Sequence, residues 1–262
     1  MPFLDLPETR LYYTAGGAGP PLVLVHGYTG DSFDWSWVLP TLYRHFRVVA
    51  YDRRGEGRSD LAPDYSLASQ VGDLLGVIEA LELEGPIVVG HSMGGAIVSS
   101  LAVEHPGRLR AIVVLDPPYA ADPESAALAD SLKPALQGDE CREAVKQLWR
   151  TLCYTEATPD WVKVLVERRV DALSQESLYG GFVGMWDHPE GIARRPKADA
   201  YLARRSCPVL AIHTIREMRD YERSTFRDPR SRAIDWPGTG HWLQLERPLE
   251  FAGVLIEWAA TV

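Results

Sequence analysis

Val88-Val89-Gly90-His91-Ser92-Met93-Gly94-Gly95-Ala96 is the stretch on which the reading of the fold turns. Pro86 to Val89 is an apolar run of the kind that forms a buried strand, and Ala96 to His105 reads as a helix. Between them Gly90-His91-Ser92-Met93-Gly94 matches G-x-S-x-G, the pattern of a serine raised on a sharp strand-to-helix turn. Such a turn strains the serine backbone, so the residues two positions away on either side must be small. Gly90 and Gly94 meet that need, and Gly95 lets the helix lie close to the strand. Ser92 is therefore the candidate nucleophile. The Met93 N–H and the helix N-terminus would face whatever negative charge its attack creates. A glycine-rich turn carrying an incidental serine is the competing reading, and the rest of the chain argues against it.

Working outward, short apolar runs alternate with helical periods. Strands are expected at Arg10 to Thr14 (an edge strand), Pro21 to His26, Phe46 to Tyr51, Leu109 to Leu115, Cys207 to His213 and Arg232 to Trp236. Helices are expected around Trp35 to Leu42, at Leu67 to Leu83 and at Leu249 to Ala260. That alternation implies an α/β fold with a parallel sheet covered on both faces. Ligands in such sheets bind beyond the carboxyl ends of the strands, where His26-Gly27, Ser92 and Asp116 fall. From residue 119 to about 200 the rhythm changes to amphipathic stretches (Ala126–Leu136, Glu140–Tyr154, Trp161–Leu173) rich in large aromatics. They read as a helical lid inserted into a core formed by residues 1–118 and 201–262. Part of Tyr179 to Trp186 is expected to line an apolar pocket.

Serine chemistry needs a base. Of the seven histidines, His91 adjoins Ser92 but should point away from it. His45, His105 and His188 fall on helices or the lid, His26 supports a loop, and His213 ends a strand. His241, in Gly238-Thr239-Gly240-His241-Trp242, stands on a small-residue loop before the last helix and is the candidate base. Its carboxylate partner is open among three. Glu217, after the strand ending at His213, is favoured; Asp116, directly after the strand ending at Leu115, is next; Asp220 is third. Tyr28 N–H, following His26-Gly27, is the natural second oxyanion donor beside Met93 N–H.

His26-Gly27, Asp52-Arg53-Arg54-Gly55-Glu56-Gly57-Arg58-Ser59, Gly90-His91-Ser92-Met93-Gly94 and Gly240-His241, in this order, resemble the α/β-hydrolase superfamily across nearly the whole chain. The resemblance implies an eight-stranded, mostly parallel sheet, a lid after the sixth strand and a Ser–His–acid triad. Its usual acid position falls on Glu217, but Thr214 stands where the family has a glycine, and some members take the acid from the position of Asp116. Serine at the elbow sets the chain apart from epoxide hydrolases and haloalkane dehalogenases, which carry aspartate there. The Asp52-Arg53-Arg54-Gly55 loop is similar to the carboxylesterase and cofactor-free haloperoxidase-like branch. The tail His241-Trp242-Leu243-Gln244-Leu245-Glu246 is similar to meta-cleavage-product hydrolases. The expectation is a hydrolase of an ester or lactone of an apolar small molecule. The alternatives are a carbon–carbon hydrolase, which would need a pocket arginine such as Arg168 or Arg169, and a non-catalytic receptor on the same fold.

Composition agrees with that class. With 46% hydrophobic and 24% charged residues over 262 positions, the chain has an ordinary globular balance. A net charge of −9 argues against nucleic acid as partner. No apolar run approaches the roughly eighteen residues of a membrane span, and Met1 to Asp5 shows no secretory signal. Three scattered cysteines, Cys141, Cys153 and Cys207, fit reduced thiols in a cytoplasmic protein. No cofactor or metal is expected, and the protein is expected as a monomer or homodimer.

Overall fold

In the computed structural model, which describes residues 2–187 and 192–262, eight strands form a single sheet in the order β1-β2-β4-β3-β5-β6-β7-β8. They are β1 (Phe3–Asp5), β2 (Arg10–Gly16), β3 (Pro21–Val25), β4 (Arg47–Tyr51), β5 (Ile87–His91), β6 (Ala111–Leu115), β7 (Val209–His213) and β8 (Arg232–Asp235). β1 and β2 join antiparallel and all pairs from β4 to β8 are parallel. The edge position expected for Arg10–Thr14 belongs instead to β1. Three residues are too few to show a period in sequence.

Helices α1 (Leu39–Leu42), α2 (Leu67–Ala80) and α3 (Met93–Glu104) link the first strands. α4 (Pro123–Gln137), α5 (Cys141–Leu148), α6 (Asp160–Ala172), α7 (Gln175–Trp186) and α8 (Lys197–Leu202) lie between β6 and β7. α9 (Arg216–Ser224), α10 (Leu243–Glu246) and α11 (Pro248–Ala259) complete the chain. The single helix expected around Trp35 to Leu42 is two pieces, a 3₁₀ turn at Ser32–Trp35 and the four-residue α1. Asp31 caps the turn by accepting from Phe33 N, and Pro40 tolerates only a helix start.

Alternation along the strands produces two cores. Val23, Val25, Val49, Val88 and Ile112 pack with α2, α3 and the inserted helices. Leu22, Leu24, Val48, Val89 and Val113 pack with Trp35, Phe251, Leu255 and Trp258 on the opposite face. The inserted helices leave and rejoin the sheet side by side, through a bridge between Ala121 and Arg194. α8 straddles the boundary drawn at residue 200 and packs on α3. α7 and the turn after α5 meet the loop that follows β3, where Tyr28 bonds the Leu178 carbonyl and packs against Trp149 and Phe182.

Candidate active site

β5 ends at His91, and Ser92 follows at φ 51, ψ −123, a backbone conformation that side-chain-bearing residues seldom adopt. Holding it costs on the order of 1–3 kcal/mol, and the surroundings show how it is held. The Ser92 N–H donates to the Leu115 carbonyl at 2.8 Å, and the Ser92 carbonyl accepts from Gly95 N–H at 2.7 Å. The small neighbours are compulsory. A Cβ on Gly90 would lie 2.2 Å from the Gly94 carbonyl oxygen, and one on Gly94 would lie 2.3 Å from that of Val25. Met93 opens α3, so its N–H has no acceptor within the helix.

His241 reaches the same edge from the loop between β8 and α10. Its Nδ1 lies 2.7 Å from Asp116 Oδ2. Asp116 follows β6 directly at φ 45, and its other oxygen accepts from the Thr214 N–H at 3.2 Å and hydroxyl at 3.1 Å. Burial opposes ionisation of Asp116, but the hydrogen bond and charge of His241, with His213 and the Thr214 N–H, hold its carboxyl down at about 2. An ionised carboxylate only accepts, so Nδ1 carries a proton, and in the neutral ring Nε2 is then the acceptor.

Glu217, the carboxylate favoured from sequence, does not take this place. The loop after β7 is only Thr214 and Ile215 before α9 begins, which leaves Glu217 exposed in the first turn of that helix. Asp220, one turn on, is exposed and paired with Arg219. Thr214, standing where the resembled family has a glycine, is the residue that fixes Asp116.

The His241 loop has further anchors. His91 Nε2 lies 2.8 Å from the His241 carbonyl oxygen, and the two rings sit 4.8 Å apart. Burial, with the neighbouring His241 charge, pushes His91 down to about 3, so it is neutral and donates that bond. Gly240 N–H donates to Glu246 at 2.7 Å, and His241 N–H to the Cys153 carbonyl at 3.3 Å. His213 lies beside Glu222 in a separate buried cluster, and His188 lies outside the described residues.

Gly27 lies against the elbow: a Cβ there would come within 2.8 Å of Ser92 Cβ. The Tyr28 backbone therefore runs beside the serine. Its side chain ties that loop to α7, with the hydroxyl donating to the Leu178 carbonyl at 2.6 Å. Its ring packs 5.8 Å from Trp149 and 6.3 Å from Phe182. Trp149, in the π-helical turn after α5, lies nearly parallel to His241 at 6.2 Å and edge-on to Trp242. The amphipathic pattern of Glu140–Tyr154 carries no signal for that contact. Within Tyr179–Trp186, Phe182 faces Tyr28, while the Tyr179 hydroxyl accepts from Gln137 at the surface.

A separate cleft of about 780 Å³ opens between α6 and the residues 29–39, and neither Ser92 nor His241 lines it. Arg168 and Arg169 both lie on its wall, and Arg169 is spent on Asp31 and Asp34. Among the described residues no group of three or more His, Cys, Asp or Glu is placed to hold a metal ion. Nor is any helix there long and apolar enough to cross a membrane.

Comparison with known proteins gives the geometry a context. The model of the "Alpha/beta hydrolase family" matches residues 22–254. The 2-hydroxy-6-oxo-6-(2'-aminophenyl)hexa-2,4-dienoic acid hydrolase of Metapseudomonas resinovorans is 27% identical, over 96% of this chain and 87% of its own. Bifunctional epoxide hydrolase 2 of Sus scrofa is 34% identical over 43% of this chain, a match that spans 21% of the porcine protein. Among solved structures, a hydrolase from Pseudomonas aeruginosa PA01 superposes with a TM-score of 0.83 at 26% identity, covering 98% of this chain and 97% of that one. The enol-lactonase of Burkholderia xenovorans LB400 shares the fold with a TM-score of 0.81 at 20% identity, covering 99% and 100%.

Proposed function

The chain belongs to the α/β-hydrolase family, and from that premise we propose that it is a serine hydrolase cleaving an ester or lactone of an apolar small molecule. Ser92 Oγ attacks the carbonyl carbon while His241 Nε2 takes its proton. Asp116 holds the imidazole in the required tautomer and offsets the imidazolium charge. The Met93 and Tyr28 N–H groups receive the oxyanion. His241 returns the proton to the leaving alcohol, and a water activated by the same imidazole releases the acid. In a lactone, alcohol and acid leave as one molecule.

The observation that carries the reading is the His241–Asp116 pair at 2.7 Å, built at the same sheet edge as a serine forced to φ 51. The aromatic roof of Trp149 and Phe182 over Tyr28 and His241 favours an apolar acyl or ring substrate. Where relatives are named epoxide hydrolases, the resembled enzymes carry a carboxylate nucleophile, and Ser92 cannot form their alkyl-ester intermediate.

A carbon–carbon hydrolase is the second reading, favoured by the Metapseudomonas relative along 96% of the chain. Its acidic dienoate substrate would call for a cation near Ser92. Arg169 is already paired, and Arg168 faces the other cleft. Hydrolysis of para-nitrophenyl esters of graded chain length and of a lactone panel, by wild type and Ser92→Ala, tests the assignment. Ser92-dependent turnover of an ester or lactone is expected. Activity confined to a dienoate ketone would replace the first reading with the second.

A further inference from the structure

The loop Asp52–Asp60 supplies nothing to the reaction above, yet it holds some of the most deeply buried charge in the molecule. We propose that Glu56 is a positioning residue for the oxyanion loop, its carboxylate fixing the backbone on which Tyr28 N–H is aimed. This rests on the serine-hydrolase reading.

Bonds from the Asp52–Asp60 loop to the loop after β3 fall on either side of Gly27-Tyr28. Arg53 N–H donates to His26 Nε2 at 2.9 Å, and Thr29 N–H donates to Glu56 Oε1 at 2.7 Å. With Nε2 accepting, His26 Nδ1 is the nitrogen that carries the proton, and it donates to the Gly27 carbonyl at 2.8 Å. Thr29 is at φ 61, a conformation unfavourable to threonine; within the loop Gly30 N–H donates to the Gly27 carbonyl at 3.2 Å, and the Thr29 N–H is held from outside by Glu56.

Its own footing is rigid. Arg53 meets Glu56 Oε2 at 2.9 Å. Arg54 is clamped to Asp73 on α2 through two bonds of 2.6 and 2.8 Å. Asp52 accepts from Ser32 N–H at 2.6 Å and Arg58 N–H at 2.9 Å. A carboxylate fixed on such a base transmits its position to the backbone it holds. Glu56 is 3% exposed. It is faced by Arg53 on its own loop, His26 and Thr29 on the oxyanion loop, and Asp31 and Asp34 from the following turn; Arg169 of α6 is paired with these two aspartates. Burial, only partly offset by Arg53 and the Thr29 N–H and reinforced by the two aspartates, pushes its carboxyl up to about 7.

The test is kcat and KM against pH for wild type, Glu56→Gln, Glu56→Ala and Ser92→Ala, with thermal melts of each. Loss of one oxyanion donor costs about a hundredfold or more. A misaimed donor in Glu56→Ala should therefore lower kcat by about 10- to 100-fold, with KM within about twofold. Glu56→Gln keeps an acceptor for Thr29 N–H, so it should recover much of that loss. Ser92-dependent turnover with kcat unchanged in folded Glu56 variants overturns the proposal and leaves the serine assignment standing. So does a loss carried by KM alone. Should Glu56→Ala not fold, Glu56→Leu, which keeps the volume and removes the acceptor, takes its place, and an unchanged kcat in it overturns the proposal. Turnover that survives Ser92→Ala removes the serine reading and this proposal together.

Discussion

Ser92 and Asp116 end adjacent strands, and both stand at positive φ, 51 and 45. Both are held there by hydrogen bonds, Ser92 by Leu115 and Gly95, Asp116 by Thr214 and His241, and the proposed site rests on that pair. If Asp116 fixes the His241 tautomer, Asp116→Ala should lower kcat about 10⁴-fold, whereas Glu217→Ala, exposed on α9, should stay within about twofold. Steady-state turnover of the best ester decides between them, and equal losses would remove Asp116 from its role. Gly90→Ala makes a sharper structural test. Its Cβ would press to 2.2 Å on a backbone oxygen that cannot swing aside, so a loss of about 3 kcal/mol or more is expected in a urea melt. The site's residue types and order were open to reading from sequence because G-x-S-x-G and Gly-His each carry a local steric cause. The choice of acid was not, since it depended on where α9 starts. A carboxylate two residues into a helix points to solvent, but one directly after a strand stays at the sheet edge. Thr214 was the available signal: a residue that cannot make a glycine turn but can donate twice to Asp116.

At the scale of elements, strands β3 to β7 and helices α2, α3, α6 and α11 were legible because each buries a whole face or a full helical stripe. β1, the split of Ser32–Leu42 and the docking of Trp149 on His241 were not, because pairing partners and tertiary contacts decide them. The inserted helices are held by such contacts, above all Arg169 of α6, which bridges Asp31 and Asp34 beneath the 3₁₀ turn. Burial pushes Asp34 up to about 6 even against Arg169. Arg169→Met keeps the alkyl packing but strands the Asp34 charge, so a loss of about 3 kcal/mol is expected at pH 8. At pH 5 Asp34 is protonated and the loss should shrink. Urea melts at the two values check this, and an equal loss at both would mean the arginine acts through packing alone.

For the whole molecule, the buried carboxylates set how stability responds to pH. Asp116, held near 2, contributes stability above about pH 4 that is lost only as pH falls toward 2. Glu56 works in the opposite sense. Its folded pKa of about 7 lies above its ordinary 4.5, so between those values the folded chain keeps a proton that the unfolded chain has released. Stability therefore falls as pH rises through that window and levels off above it. Glu56→Gln has no such proton to lose. Relative to wild type it should gain stability from pH 4.5 to 7, on the order of 2 kcal/mol. Denaturant midpoints at half-unit intervals from pH 4.5 to 8.5 give the two curves, and parallel curves would show that Glu56 titrates alike in folded and unfolded chains. Diverging curves would mean that the ionised Glu56 is the form the fold tolerates least. The molecule would then hold that charge at the cost of stability, on account of the bond it makes to Thr29.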